Sequence, residues 1–243
     1  MLSKVHVIVT GAGAGIGKEI VTSCLSERAH VVACDISEDS LNELKASYST
    51  NKLSTYTVDV ADYDSVKDFF KQIKATSPGV NALVNNAGIY LAQNLLTYSE
   101  EDINKVIDVN VKGAVYFSQF FGKYLIEKDA YGTIVNMSSV SALEGSSDAL
   151  YGLSKAAILG LTKSCAMNFS PYIRVNSVAP TMVDTSMMDN IPTWRKQEYL
   201  EHQLIKTPVT PRDVADTVLF LLSDKAKHYT GSTFDLNNGG YLR

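Results

Sequence analysis

Apolar residues fall in short, nearly unbroken runs, and between the runs they recur every three or four positions. The runs cover residues 5–10, 30–34, 53–58, 80–84, 133–137, 173–178 and 232–236. Runs of this length, rich in valine and isoleucine and without polar alternation, are the pattern of strands buried on both faces of a parallel sheet. The helical spacing predicts helices from Lys18 through Leu25, over 37–48, 62–75, 100–127 and 151–168, and from Thr210-Pro211-Arg212-Asp213 onward, where a cap residue precedes a proline. Strands alternating with helices imply an α/β chain: a doubly wound, Rossmann-type parallel sheet of about seven strands with helices on both faces. Residues 186–206 fit neither pattern. There Met187, Met188, Ile191 and Trp194 are interrupted by Pro192 and by charges, which reads either as a lid at about 184–206 over an apolar patch or as a loosely packed surface helix.

Composition changes this picture little. The 243 residues are 45% hydrophobic and 20% charged, with a formal net charge of −4. No linker or charge block divides them, so one domain over residues 1–243 is expected, and no basic run points to nucleic acid. Cys24, Cys34 and Cys165 are scattered and the four histidines isolated, so neither disulfides nor a metal site is expected. The chain enters its first strand without a leader pattern and holds no long apolar span. A cytoplasmic protein without a membrane partner is the expectation.

Candidate chemistry lies where strands end. After the first strand, Thr10-Gly11-Ala12-Gly13-Ala14-Gly15-Ile16-Gly17 opens into a helix. Glycines there let backbone approach a pyrophosphate, and a helix start directs free N–H groups toward it. Asp35, at the end of the second strand, can accept from adenosine ribose hydroxyls and would repel a 2′-phosphate; it also suits a turn or cap. With Ala14 where a basic residue would serve NADP, NAD is expected, to be tested by kcat/KM for the two cofactors. Asp59 could bond adenine or cap the next helix. Asn85-Asn86-Ala87-Gly88 suits a turn whose amides bond backbone, and Asn110, a poor helix former inside the long helix, points to a local distortion or a satisfied buried amide. Tyr151 and Lys155 share one helical face. They form either a surface pair or a phenol beside an ammonium that favours its phenolate, with Ser138 near enough in sequence to join them.

In this order and spacing, Thr10-Gly11-x-x-x-Gly15-x-Gly17, Asp59, Asn85-Asn86-Ala87-Gly88, Asn110, Ser138, Tyr151-x-x-x-Lys155 and Pro180 through Thr185 resemble the short-chain dehydrogenase/reductase family along essentially the whole chain. The resemblance implies an NAD-dependent oxidoreductase that interconverts a secondary alcohol and a ketone. Tyr151 would be the general acid or base, and Ser138 would hold the substrate oxygen. Lys155 would bond the nicotinamide ribose and lower the tyrosine pKa, and Asn110 would hold a water linking the lysine to solvent. Cofactor contacts would come from Gly11, Gly15, Ile16, Gly17, Asp35, Asp59, Val60, Asn86, Ala87, Gly88, Tyr151, Lys155, Val183 and Thr185.

Two departures from the family pattern have no explanation in sequence: Pro180-Thr181 in place of Pro-Gly, and Asn238-Gly239-Gly240 in place of Asp-Gly-Gly. Family members that reduce 3-oxoacyl groups on acyl carrier protein are the alternative. Ala130 and Pro171, where such enzymes tend to carry arginine, argue against it, as does Asp35. A nucleotide-binding regulator without catalysis is the competing class, though all four reactive groups are present. Tyr90, Glu144, Asp148 and the methionine-bearing lid are candidates to line the pocket for a small alcohol or ketone. A homo-oligomer, tetramer or dimer, through the helices bearing Asn110 and Tyr151 is expected by resemblance.

Overall fold

A computed structural model describes residues 2–188, 191 and 193–243. Seven strands form one sheet: β1 (His6–Thr10), β2 (His30–Asp35), β3 (Leu53–Thr57), β4 (Ala82–Asn85), β5 (Gly132–Met137), β6 (Ile173–Pro180) and β7 (Thr233–Leu236). All neighbours are parallel, in the order β3-β2-β1-β4-β5-β6-β7. The chain therefore reverses direction across the sheet between β3 and β4, leaving a crevice beyond the carboxyl ends of β1 and β4.

The helices are α1 (Gly15–Ser26), α2 (Glu38–Ala46), α3 (Tyr63–Thr76), α4 (Glu100–Ile107), α5 (Gly113–Ile126), α6 (Ser141–Glu144), α7 (Ala149–Asn168), α8 (Thr193–His202) and α9 (Pro211–Leu222). Alternate strand residues feed two separate cores. Val7, Val9, Val31 and Ala33 pack with Ile20, Val21, Val214 and Val218 of α1 and α9 on one face. Ile8, Val32 and Ile134 pack with Phe69, Phe70, Phe117 and Phe121 of α3 and α5 on the other. The strand runs carry no polar alternation because both faces are covered.

The expected long helix over 100–127 is interrupted. A π-helical turn, Asp108–Lys112, separates α4 from α5 and contains Asn110, the local distortion that the asparagine had predicted. Strand β4 starts later than the apolar run because Val80 closes a turn onto Ser77 after Pro78-Gly79. Strand β6 runs on to Pro180, and the short helix α6 was not foreseen. Side chains cap several helices: Ser37 on α2, Asp62 on α3, Ser99 on α4, Asp148 on α7, and a reciprocal capping box of Thr210 and Asp213 on α9. The cysteines are unpaired and buried. Among the described residues no helix is long and apolar enough to cross a membrane, and no group of His, Cys, Asp or Glu could hold a metal ion.

Candidate active site

Between β1 and α1 the chain passes through Gly11 at φ 64° and Gly15 at φ 50°, left-handed conformations that a side chain would strain. A Cβ on Gly11 would stand 2.9 Å from the Ala87 Cα, and one on Gly17 only 1.9 Å from the Gly11 carbonyl oxygen. These two glycines let the turn, the helix and the end of β4 meet. Asn86 braces the same turn, donating from Nδ2 to the carbonyls of Thr10 (3.0 Å) and Gly11 (3.1 Å). The Thr10 hydroxyl in return accepts from Asn86 N–H and Ala87 N–H. The Asn86 amide thus bonds backbone, as its sequence context predicted, whereas Asn85, the last residue of β4, donates instead to the side chains of Ser118 (3.0 Å) and Asn136 (2.8 Å).

Ala14 precedes α1 without a side-chain cap, and no acidic residue stands in the helix's first turn. Its N-terminal N–H groups are directed at whatever lies before them, the arrangement that suits a pyrophosphate. Asp35 marks the other end of that space, its two oxygens accepting from Gly13 N–H at 2.8 Å and Ser37 N–H at 3.0 Å. Each carboxylate oxygen keeps a second lone pair for a ribose hydroxyl. Asp59 instead accepts from Ala61 N–H at 2.9 Å, in an Asx turn, and Val60 is buried against Gly113.

The reactive groups converge at the carboxyl ends of β4 and β5. Lys155, buried on α7, donates to the Met137 carbonyl at 3.1 Å and stands 5.6 Å from the centre of the Tyr151 ring. Asn110 holds Ile89 at both backbone groups, accepting from its N–H at 2.7 Å and donating to its carbonyl at 2.9 Å, and also donates to Ser154 Oγ. Its side chain fixes the loop after β4 against α7.

The serine requires a correction. Ser138 Oγ is buried and donates to the Lys155 carbonyl at 2.8 Å, so it ties β5 to α7. The hydrogen-bond partner of the Tyr151 phenol is Ser139. Both serines continue β5 past its last strand residue, and the first has its hydroxyl turned into the helix. One residue's difference in position was enough to misassign them, because in a Ser-Ser doublet only the structure shows which hydroxyl faces the tyrosine.

The electrostatics also depart from expectation. Burial pushes the Tyr151 phenol up to about 12, with only Ser139 acting in the opposite direction. Burial likewise pushes the Lys155 ammonium down to about 8. In both, desolvation disfavours the charged form.

A cavity of about 310 Å³ joins these parts. Gly11, Gly15, Ile16, Asp35, Asn86, Ala87, Gly88, Ser138, Ser139, Tyr151, Lys155, Val183 and Thr185 line it. Gly17, Asp59, Val60 and Asn110 lie outside the lining. Met187, Met188 and Ile191 before α8, Tyr199 on α8, and Tyr90 belong to the same lining. Asp189, Asn190 and Pro192, which the lid reading included, lie outside the described residues. Glu144 borders an adjoining cavity and accepts a hydrogen bond from Tyr199 at 3.2 Å.

Both family departures meet here. The buried Gln203, just past α8, donates to Thr181 Oγ1 at 3.2 Å and accepts from Asn238 Nδ2 at 3.0 Å. Asn238, at φ 54°, also donates to the Thr207 carbonyl. The added hydroxyl and the added amide are two ends of one clamp on the trailing end of α8. Nothing in the local sequence pairs residues so far apart.

A family model described as Enoyl-(Acyl carrier protein) reductase matches residues 11–241. The chain is 35% identical to a 3-oxoacyl-(acyl-carrier-protein) reductase FabG of Thermotoga maritima over 236 residues, 96% of each protein. It is 29% identical to a meso-2,3-butanediol dehydrogenase of Serratia marcescens, over 96% of this chain and 93% of that one. A solved structure of a 4-hydroxyisoleucine dehydrogenase complexed with NADH and succinate superposes with a TM-score of 0.88 at 31% identity, covering 96% of this chain and 97% of that one.

Proposed function

The chain belongs to the short-chain dehydrogenase/reductase family and is an oxidoreductase, and from that premise we propose that it interconverts a small secondary alcohol and the corresponding ketone with NAD(H). The observation that carries this reading is the Tyr151 phenol hydrogen-bonded to Ser139 on the wall of a cavity that runs on to an uncapped helix start and to Asp35. The glycine turn and the first turn of α1 would hold the pyrophosphate of NAD(H), Asp35 the adenosine ribose, and Val183 and Thr185 the nicotinamide end. When bound, that cofactor supplies or accepts the hydride.

The chain's own residues handle the proton and the substrate oxygen. Ser139, rather than Ser138, donates to that oxygen alongside Tyr151. At neutral pH a phenol pushed up to about 12 is protonated, so Tyr151 gives its proton as negative charge develops on a carbonyl oxygen. Lys155, within the same buried patch, would bond the nicotinamide ribose and pass a proton onward. Asn110 keeps Ile89 and the loop after β4 in register with α7.

The choice of NAD over NADP rests on Asp35 at the ribose end and on the NADH found with the 4-hydroxyisoleucine dehydrogenase. The resemblance to the Thermotoga reductase favours a second reading, reduction of a 3-oxoacyl group on a carrier protein. Incubating the protein with NAD and meso-2,3-butanediol, with NADH and acetoin, and with NADH or NADPH and a 3-oxoacyl carrier-protein thioester separates the two. Turnover of the small diol or hydroxyketone with NAD(H) is expected; turnover of the thioester alone, with NADPH, would replace the reading by its alternative. Tyr151→Phe should abolish turnover while retaining NAD(H) affinity.

We also propose a homo-oligomer built through the helices flanking Asn110 and Tyr151. Support comes from the exposed apolar side chains Ile103 on α4, Val115 on α5, and Leu153 and Met167 on α7.

A further inference from the structure

Among the described residues the fold buries two charged side chains, Asp148 at 1% exposure and Lys155 at 5%. They flank Tyr151, one turn before it and one turn after it on α7. Lys155 has a part in the reaction proposed above, whereas Asp148 has none.

Three donors converge on the Asp148 carboxylate. The Tyr98 hydroxyl donates to both oxygens, at 2.8 and 2.9 Å. The backbone N–H of Tyr151 donates to Oδ1 at 3.0 Å, and that of Gln93 to Oδ2 at 3.3 Å. Both carboxylate oxygens are thus held by the protein itself, in one fixed orientation. The negative charge also sits at the N-terminus of a long helix, where it is favoured. Its charge reaches the phenol, adding with Tyr90 to the burial that resists phenolate formation. Tyr90 stands edge-on to the Tyr151 ring at 5.0 Å. The other groups facing this space are Ser139 and Glu144 from the segment after β5, Asp102 on α4, and Tyr199 and His202 on α8.

We propose that Asp148 is a positioning residue for Tyr151: a fixed buried anion that helps keep the phenol protonated and locks the loop from Gln93 to Tyr98 against the start of α7. The site is thereby poised to give a proton to a carbonyl rather than to take one from an alcohol. This inference rests on the reading of Tyr151 as the proton-exchanging group.

Asp148→Asn tests it, because the amide oxygen still caps Tyr151 N–H while the charge is gone. The ascending limb of kcat/KM for meso-2,3-butanediol oxidation with NAD should move to lower pH by about one unit. Asp148→Ser, another capping residue without charge, should move it the same way. Tyr98→Phe, which keeps the charge and loosens the loop, should not shift it downward. If the diol is not turned over, the tyrosinate absorbance titration of the NAD-saturated protein, taken as the difference from Tyr151→Phe, reports the same shift directly. A profile for Asp148→Asn that superimposes on wild type overturns the inference, as does a downward shift in Tyr98→Phe equal to that of Asp148→Asn. An active Tyr151→Phe would instead remove the reading beneath it.

Discussion

Two neighbouring serines, chemically identical, have different uses in this protein. Ser139→Ala removes the hydroxyl that meets the Tyr151 phenol and is expected to lower kcat/KM by about 10²-fold, as loss of one donor to a developing oxyanion does. Ser138→Ala removes a buried tie to the Lys155 carbonyl and should cost about 1 kcal/mol of stability, with activity within a fewfold of wild type. Steady-state kinetics and thermal melts of the pair read both effects, and the reverse result would restore the sequence assignment. The doublet explains why residue-level legibility was uneven. Tyr151, Lys155 and the glycines were recognisable because their types and spacing are constrained. The hydroxyl's direction depends on backbone geometry at a strand end, which the letters do not carry.

Lys155 gives a prediction about stability. Its ammonium is pushed by burial from 10.5 down to about 8, so between those values the unfolded chain holds a proton that the folded chain has released. Stability on this account rises with pH across the window from about 8 to 10.5, and below it the folded state carries the full penalty. Lys155→Met should therefore melt higher than wild type near pH 7, by up to about 3 kcal/mol, and its stability should not climb across that window. Thermal melts at a series of pH values decide this, and a less stable methionine variant at neutral pH would contradict it. Tyr151 acts in the opposite sense at higher pH: its phenol stays protonated up to about 12 rather than 10, so stability falls as pH rises between those values.

At the scale of elements, the sequence foretold most helices and strands because caps and apolar periodicity agree. Thr210 caps α9 ahead of Pro211 as expected, and Asp213 completes a reciprocal capping box that was not foreseen. The break at Asn110 was foreseen as a distortion, but its π-helical form was not, since the asparagine's bonds to Ile89 and Ser154 join segments distant in the chain. Helix α8 shows the same limit. Its apolar face is weak in sequence, yet its end is held by Gln203 between Thr181 and Asn238. Gln203→Ala is expected to raise KM for the alcohol or ketone several-fold while leaving NAD affinity near wild type, because the clamp secures the cover of the substrate end. Equal losses of substrate and cofactor affinity would show that the clamp supports the whole cavity instead.

Across the whole molecule, the doubly wound parallel sheet was legible from its unbroken valine and isoleucine runs alternating with helices, whereas the strand order, which pairs runs distant in the chain, was seen only in the structure. The surface proposed for an oligomer contact was not legible in the residue pattern, because apolar residues such as Val115 and Met167 read as ordinary members of amphipathic helices until their exposure is known. Light scattering of the wild type should give a dimer or tetramer, and the double change Val115→Glu, Met167→Glu should reduce its mass. An unchanged mass would place the contact elsewhere.

The central position of β1 has a further consequence for how the chain folds. Its partner β2 follows closely, but the seam with β4 joins residues far apart, as the bond from His6 N–H to Asn81, spanning 75 residues, shows. Closing such a loop is entropically costly and makes this seam a late event. The glycine turn is braced by Asn86 from across that seam, so the nucleotide cradle has no formed second wall until the seam closes. Added NAD should then slow unfolding in stopped-flow experiments without accelerating refolding, since it binds only what exists after the rate-limiting step.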